Sequence, residues 1–403
     1  MPTTPAAVIV DAVRSPLAKG RAPREGRPGG ALSGLHPAGL LGQTIKALLD
    51  RNQAVDPATV DDVITGCVSQ ASEQAGPIGR WAWLGAGLAE GVPACTIDRR
   101  CGSSQQCVEF AAMGIIAGVY EIVVACGVES MSRVPMGTAR MGADIYGPAT
   151  TARYAPGLVA QGISAELIAA RHGIDRTRLD EFAARSHATA ERADFSNEMV
   201  PIEVVGEDGS TTIVDFDEGI RPGTTADKLG ALAAAFENAE MKQRFPEIEW
   251  RVTAGNSSQL TDGASALLIM SEDKASQLGL PPRARIHAMA VASDDPITML
   301  TGPIPATEKV LARSGMTIEQ FDQFEVNEAF ASVPLRWLDH FEADPEKLNP
   351  RGGAIALGHP LGASGGRLMA SLLNGLEQTG GRWGLQTMCE AGGMANATII
   401  ERL

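Results

Sequence analysis

Short apolar runs alternate with longer stretches of helical period along this chain. Ala6 to Val10, Asp62 to Ile64, Ile122 to Ala125 and Ala266 to Met270 are short and flanked by turn residues, the pattern of strands buried on both faces. Between such runs, Gly39 to Asp50 places Leu40, Leu41, Ile45, Leu48 and Leu49 on one helical face. Strands alternating with helices predict a layered α/β fold around a parallel or mixed sheet. The two halves also echo each other. Each carries a strand, a glycine/serine turn and a helix, with Cys101 at that turn in the first half and a loop around His359 in the second, which points to a duplication.

The stretch 129–251 has another texture. It carries Met131, Met136, Met141, Tyr146, Tyr154 and a charged helical segment from Arg176 to Asp194. It reads as an insertion between the last strands of the first half; the plain alternative is a set of surface helices. Long insertions at strand ends tend to carry function.

Composition sets bounds. The 403 residues exceed one typical core, so two or three domains or a duplicated one are expected. With 44% hydrophobic and 20% charged residues the chain buries a sizeable core. Its 34 basic and 48 acidic residues give −14, which argues against a nucleic-acid partner, and an anionic substrate would need a local basic patch. The six cysteines are irregularly spaced, with no Cys-x-x-Cys pair and no Cys/His array for a metal. Reduced thiols in a cytoplasmic enzyme fit that usage. Neither a signal peptide, nor an apolar run near the roughly 20 residues of a membrane span, nor a peroxisomal C-terminus is visible.

The candidate chemistry sits in four places. Thr96 to Cys107 sets Cys101 in a Gly/Ser turn before a helix, where unpaired N–H groups favour thiolate over thiol. The alternative for Cys101 is a small residue packed in a tight turn. His359 lies between Gly358 and Pro360 in a glycine-dense loop from Asn349 to Gly366, its backbone restrained by the proline. Cys389 ends an apolar strand and enters a second glycine turn. Asn327 and Glu328 end a short strand in Phe-Glu-Val-Asn-Glu-Ala-Phe. Strand ends are where α/β enzymes keep their reactive groups.

These motifs resemble the thiolase family. Cys-Gly-Ser-Ser at Cys101, Asn-Glu-Ala-Phe at Asn327, Gly-His-Pro-Leu-Gly-Ala-Ser-Gly from Gly358 and Cys-x-x-Gly-Gly-Met at Cys389 span nearly the whole chain, from Val8 to Leu403. The resemblance implies a duplicated five-layer αβαβα fold: an N-terminal half at 1–128 completed by 252–280, a loop domain at 129–251 over a CoA groove, and a C-terminal half at 281–403. It implies Cys101 as nucleophile, His359 as its base, Cys389 as the second acid/base and Asn327 as anchor of a water in an oxyanion site. Glu328 stays open between a direct role and a buried group fixing the loop. Arg221, Lys228 and Ser258 match positions near CoA. Cys67, Cys95, Cys107 and Cys126 match no catalytic position and are expected in the core, and His36, His172, His187, His287 and His340 are read as surface or packing residues. One departure stands out. Thiolases commonly carry Cys-x-Gly where this chain has Cys389-Glu390-Ala391, so Ala391 is the expected second oxyanion donor only if its φ is negative.

By resemblance the expected activity is thiolytic cleavage of 3-ketoacyl-CoA, in fatty acid or steroid side-chain degradation. A biosynthetic acetoacetyl-CoA thiolase uses the same residues. A condensing enzyme acting on acyl carrier protein typically uses a Cys-His-His set instead, and a non-catalytic lipid-carrier or assembly subunit has no need of Cys101, Asn327, His359 and Cys389 together. CoA and acyl-CoA are the implied partners, with no further cofactor, and the family implies a homodimer or homotetramer.

Overall fold

The apolar runs form two copies of one strand topology. The computed structural model describes residues 5–206 and 208–403; residues 1–4, where the stretch inspected for a targeting signal begins, lie outside them. The first half supplies β1 (Ala7–Arg14), β2 (Ala18–Lys19), β3 (Asp62–Gly66), β4 (Ala94–Ile97) and β5 (Ile122–Ser130). A hairpin of β6 (Ile202–Val205) and β7 (Thr211–Val214) precedes β8 (Thr261–Ser271). The second half supplies β9 (Ala284–Ser293), β10 (Gln323–Val326), β11 (Trp383–Glu390) and β12 (Met394–Arg402).

Outward from β1 the first half runs β8, β5, β3, β4, and outward from β9 the second runs β12, β11, β10. The pairings match: antiparallel, antiparallel, then parallel. Where the first half has β4, the second has one parallel bridge, Phe324 to Leu348. The reason is local. Asn349 follows at φ 45°, and its side chain takes over the edge of β10, accepting from Val326 N at 2.9 Å and donating to Val326 O at 2.8 Å.

Only two residue pairs, Val8 with Arg285 and Ile9 with Ala284, join β1 to β9. The halves therefore wrap a shared helical layer. Helices Ser103–Ile116 and Ser364–Thr379 touch each other and strands of both halves, burying Val108, Ala111, Ile115, Met369, Leu372 and Leu376 against Ile9 and Leu267. Helices Pro37–Arg51 and Ile78–Gly85 cover the outer face of the first half. Pro303–Ser314 and Ser332–Phe341 cover the second, around Phe321, Phe324 and Trp337. The result is the expected αβαβα stack. Its middle is tight: a methyl on Gly127 would lie 2.2 Å from the Gly362 carbonyl, so a side chain there would separate the halves.

The insertion runs from the end of β5 at Ser130 to the start of β8 at Thr261 and contains helices Gly147–Arg153, Gln161–Arg171 and Arg176–Arg192. Buried ion pairs anchor it at the seam. Arg14 of β1 donates to Glu198 at 2.9 Å and to both oxygens of Asp217 at 2.8 Å, while Arg351 reaches Glu198 at 2.9 Å. Both guanidinium groups lie over the Phe195 ring, 4.8 and 5.0 Å from its centre. Paired charges of this kind fix register more than they add stability.

Candidate active site

Cys101 enters from a stapled turn. Arg99 N donates to Ser103 Oγ at 2.9 Å, Ser103 Oγ donates to the Arg100 carbonyl at 2.6 Å, and Arg100 takes φ 50°. The helix Ser103–Ile116 begins just beyond Gly102. Cys101 is only 3% exposed and packs on Leu368, Met388 and Leu361. Burial, followed by Cys389 and Glu390, pushes its thiol well above the ordinary cysteine range. The helix end alone would lower that value, and burial reverses the direction. Loss of water around the sulfur outweighs the partial charge of the helix end, so Cys101 rests as a thiol and needs a base.

His359 is built to be that base. Its N–H donates to the Gln259 carbonyl at 3.0 Å, and Gly358 before it takes φ 116°, where an added methyl would press to 2.3 Å from Thr261 Cγ2. Ser364 Oγ lies 2.7 Å from His359 Nδ1 and donates to the Pro360 carbonyl at 2.9 Å. A hydroxyl has one hydrogen, and Pro360 takes it. With that hydrogen on Pro360, Nδ1 carries the imidazole proton and donates to Ser364, the tautomer that leaves the Nε2 lone pair facing Asn327. Burial, then Arg367, lowers the His359 pKa to about 3, so the ring is neutral near pH 7.

Asn327, just past β10, links the remaining groups. Its Nδ2 lies 3.5 Å from His359 Nε2 and 3.9 Å from Cys389 Sγ. Burial pushes the Cys389 thiol up to about 12, partly offset by the Asn327 contact. Asn327 thus joins His359 and Cys389 where the ends of β10 and β11 meet the loop before helix Ser364–Thr379, and Cys101 packs on Met388, the chain neighbour of Cys389. Ser364→Ala should remove the acceptor that fixes the His359 tautomer. We expect kcat to fall about tenfold with KM for CoA nearly unchanged, measured by steady-state thiolysis.

Ala391 follows Cys389 closely, half-buried, and is absent from the residues with positive φ. The turn is carried instead by Gly392 and Gly393 at φ 95° and 86°, so the methyl of Ala391 adds no backbone strain. Glu328 proves to be a loop fastener. It accepts from Ser186 Oγ at 2.7 Å, Asn349 Nδ2 at 2.9 Å and Ile355 N at 3.1 Å. Ser258 N donates to the Ala329 carbonyl at 3.0 Å, placing Ser258 beside the Asn327 turn. Arg221 and Lys228 lie farther out and are exposed; Arg221 Nη2 reaches Gln259 Oε1 at 3.4 Å and Lys228 Nζ donates to the Gly223 carbonyl at 2.7 Å. Buried His187 accepts from Arg221 N at 3.2 Å, a packing role. Cys95 corrects the core expectation: it is exposed on edge strand β4. Cys67, Cys107 and Cys126 are buried as expected.

Fold and site together define an α/β enzyme of duplicated halves with two cysteines, a histidine and an asparagine at its seam. Residues 7–273 match the thiolase N-terminal domain and residues 280–402 the thiolase C-terminal domain. The chain belongs to the thiolase family. It is 43% identical over 409 residues to the steroid 3-ketoacyl-CoA thiolase FadA6 of Mycobacterium tuberculosis, covering 98% of this chain and 94% of that protein. It is 45% identical to the 3-ketoacyl-CoA thiolase of Pseudoalteromonas translucida, covering 98% of each. The crystal structure of the Bacillus anthracis acetyl-CoA acetyltransferase superposes with a TM-score of 0.87 at 35% identity, covering 100% of both chains.

Sequence reasoning passed over two supports of this site. Ser364 is one, and a hydroxyl at the start of a helix five residues after His359 is its signal in the sequence. Gln259 joins the Arg221 loop to the His359 loop, donating to the carbonyls of Gly219, Ile355 and Ala356 at 2.9, 2.9 and 3.0 Å, and no local pattern announces it.

Proposed function

We infer that this chain is a degradative 3-ketoacyl-CoA thiolase, cleaving 3-ketoacyl-CoA with CoA to acetyl-CoA and a shortened acyl-CoA. The observation that carries the reading is that Asn327 joins the neutral His359 to the buried Cys389 thiol, while the buried Cys101 thiol packs on Met388 beside Cys389 in the chain. His359 Nε2 takes the Cys101 proton, and Sγ attacks the 3-keto carbon. The oxyanion is held by Asn327 through water, by His359, and by the N–H groups of Cys101 and Ala391 in successive steps. Collapse breaks the C2–C3 bond, and the Cys389 thiol protonates the departing acetyl-CoA enolate. The Cys389 thiolate then takes the thiol proton of incoming CoA. That sulfur attacks the Cys101 thioester, and the released Cys101 sulfur recovers its proton from His359.

Arg221 and Lys228 make no ion pair with a carboxylate among the described residues, as suits cations reserved for the nucleotide phosphates of CoA. The insertion then closes over the pantetheine beside Ser258. The names of the relatives support 3-ketoacyl-CoA substrates, including bulky steroid-derived ones. We place the enzyme in the cytoplasm: no described helix is long and apolar enough to cross a membrane, and all six cysteines are free thiols. A homo-oligomer is favoured by exposed Phe110, Met113 and Ile116 on the helix beside open edge strand β4.

The test is CoA-dependent cleavage of acetoacetyl-CoA, a medium-chain and a polycyclic 3-ketoacyl-CoA. Cleavage of the longer substrates is expected. Turnover of acetoacetyl-CoA alone would replace this reading with a biosynthetic one, and none in folded protein would remove it.

A further inference from the structure

Behind the nucleophile lies a carboxyl group that the mechanism above does not use. Glu390 ends β11 next to Cys389, is fully buried, and neither of its oxygens has a hydrogen-bond partner. It sits against Gly102. A methyl on Gly102 would lie 1.9 Å from Glu390 Oε1 and 3.1 Å from Asn396 Oδ1, so both oxygens line one small space under the nucleophile loop. Asn396 Oδ1 is also buried and without a partner, whereas Asn396 Nδ2 donates to the Gly102 carbonyl at 3.3 Å. Glu390 Oε1, Glu390 Oε2 and Asn396 Oδ1 are thus three buried acceptors without a donor. Buried acceptors left without a partner are costly, so a hydrogen is expected here.

The duplication shows what this place does elsewhere. Glu129 and Glu390 stand at matching positions on β5 and β11, counted from the first residue each strand pairs with its parallel neighbour, Val123 with Asp62 and Gly384 with Gln323. Gly362 and Cys101 match likewise, each two residues ahead of its central helix. In the first half Glu129 accepts from Val68 N, Ser69 N, Gln74 Nε2 and Gly362 N, all at 3.0 Å. The Gly362 N–H is spent on a carboxylate. The Cys101 N–H makes no such bond to Glu390.

We propose that Glu390 is a positioning residue for Cys101: as the neutral acid it gives its hydroxyl hydrogen to Asn396 Oδ1, holding the Asn396 amide on the Gly102 carbonyl and leaving the Cys101 N–H to the substrate oxygen. The donor reaches Oδ1 directly or across one bridging water. A carboxylate would do the opposite on each count. It has no hydrogen to give, it competes for the Cys101 N–H as Glu129 does for that of Gly362, and its charge resists ionisation of Cys101.

Burial favours the acid, shifting Glu390 up to about 9. Arg99 pulls the other way, while Glu109 and Asp98 push with burial. Glu109, on the central helix, is itself raised to about 8, by burial first. Cys101 and Cys389 complete the ionisable surroundings. The acid form therefore holds near neutral pH and is lost as pH rises through about 9.

The test compares Glu390→Gln, which keeps a donor and cannot ionise, with Glu390→Leu and Asn396→Leu, each checked for folding by thermal unfolding. The first readout is the rate of iodoacetamide labelling of Cys101, located by peptide mass mapping, between pH 6 and 10. Relative to Glu390→Gln, the wild-type rate should match below pH 8 and fall behind at least threefold by pH 10. The second readout is thiolysis at pH 7. Glu390→Leu and Asn396→Leu should each lower kcat about tenfold, Glu390→Gln should recover most of that loss, and the double leucine variant should be no worse than either single one. Parallel labelling profiles for wild type and Glu390→Gln, or additive losses in the double variant, would overturn the proposal. A merely structural Glu390 would move the unfolding temperature and leave both readouts in place.

Discussion

Cys101→Ala is expected to abolish thiolysis while leaving the fold in place. The change removes one sulfur from a side chain that touches Leu368, Met388 and Leu361, and it disturbs neither the Ser103 staple before it nor the helix after it. No other thiol can substitute. Cys389 is assigned the acid/base step, Cys67, Cys107 and Cys126 are buried in the cores, and Cys95 lies exposed on edge strand β4. Loss of a covalent nucleophile leaves only binding and the oxyanion donors, so kcat should fall roughly 10,000-fold or more. Acyl-CoA should still bind, since Arg221, Lys228 and Ser258 are untouched. The check pairs a thiolysis assay with mass spectrometry after exposure to a 3-ketoacyl-CoA: wild type gains the acyl mass on Cys101 and the variant gains none. Retained turnover, or an acyl adduct on Cys389 in wild type, would remove Cys101 from its assigned role.

Much of this arrangement was legible in the sequence because the reactive residues sit at changes of pattern. Cys389 ends an apolar run and Asn327 follows one, and both fall at the ends of β11 and β10 as read. The helix read from Gly39 spans Pro37–Arg51, begun by His36, whose Nδ1 accepts from Ala38 N at 3.2 Å. What stayed illegible depends on contacts across the chain. The state of the Cys101 thiol follows from burial against Leu368 and Met388, which no local motif around Cys101 encodes, and so the helix-end argument pointed the wrong way. The exposure of Cys95 depends on β4 being the edge of the sheet, a property of topology. Glu390 reads as an ordinary polar residue after a motif cysteine until the fold sets it against Gly102. The missing fifth strand of the second half, the counterpart of β4, is likewise decided by Asn349, whose side chain replaces a ladder partner.

His359→Ala should cost about 10²–10⁴-fold in kcat, because it removes the base assigned to the buried Cys101 thiol. The pH dependence distinguishes this role from mere packing. In the folded enzyme His359 binds a proton only near pH 3, far below the ordinary histidine value of about 6.5. It is therefore a competent base throughout the range from pH 5 to 8. The acylation rate of wild type, followed as a single turnover so that ionisation of CoA does not enter, should not fall on the acid side down to about pH 5. A histidine titrating at its ordinary value would lose about thirtyfold by that point, and such a limb would contradict the buried, neutral imidazole. Stability carries the same sign. The unfolded chain protonates this histidine near 6.5 and the folded chain near 3, so its contribution is full above about pH 6.5 and is lost as pH falls toward 3. Urea midpoints at pH 7 and pH 5 should then differ more for wild type than for His359→Ala, since every other titrating group is common to the two. Equal shifts would mean that His359 gains its proton in the folded state as easily as in water, and the Ser364 contact would no longer explain which nitrogen faces Cys101.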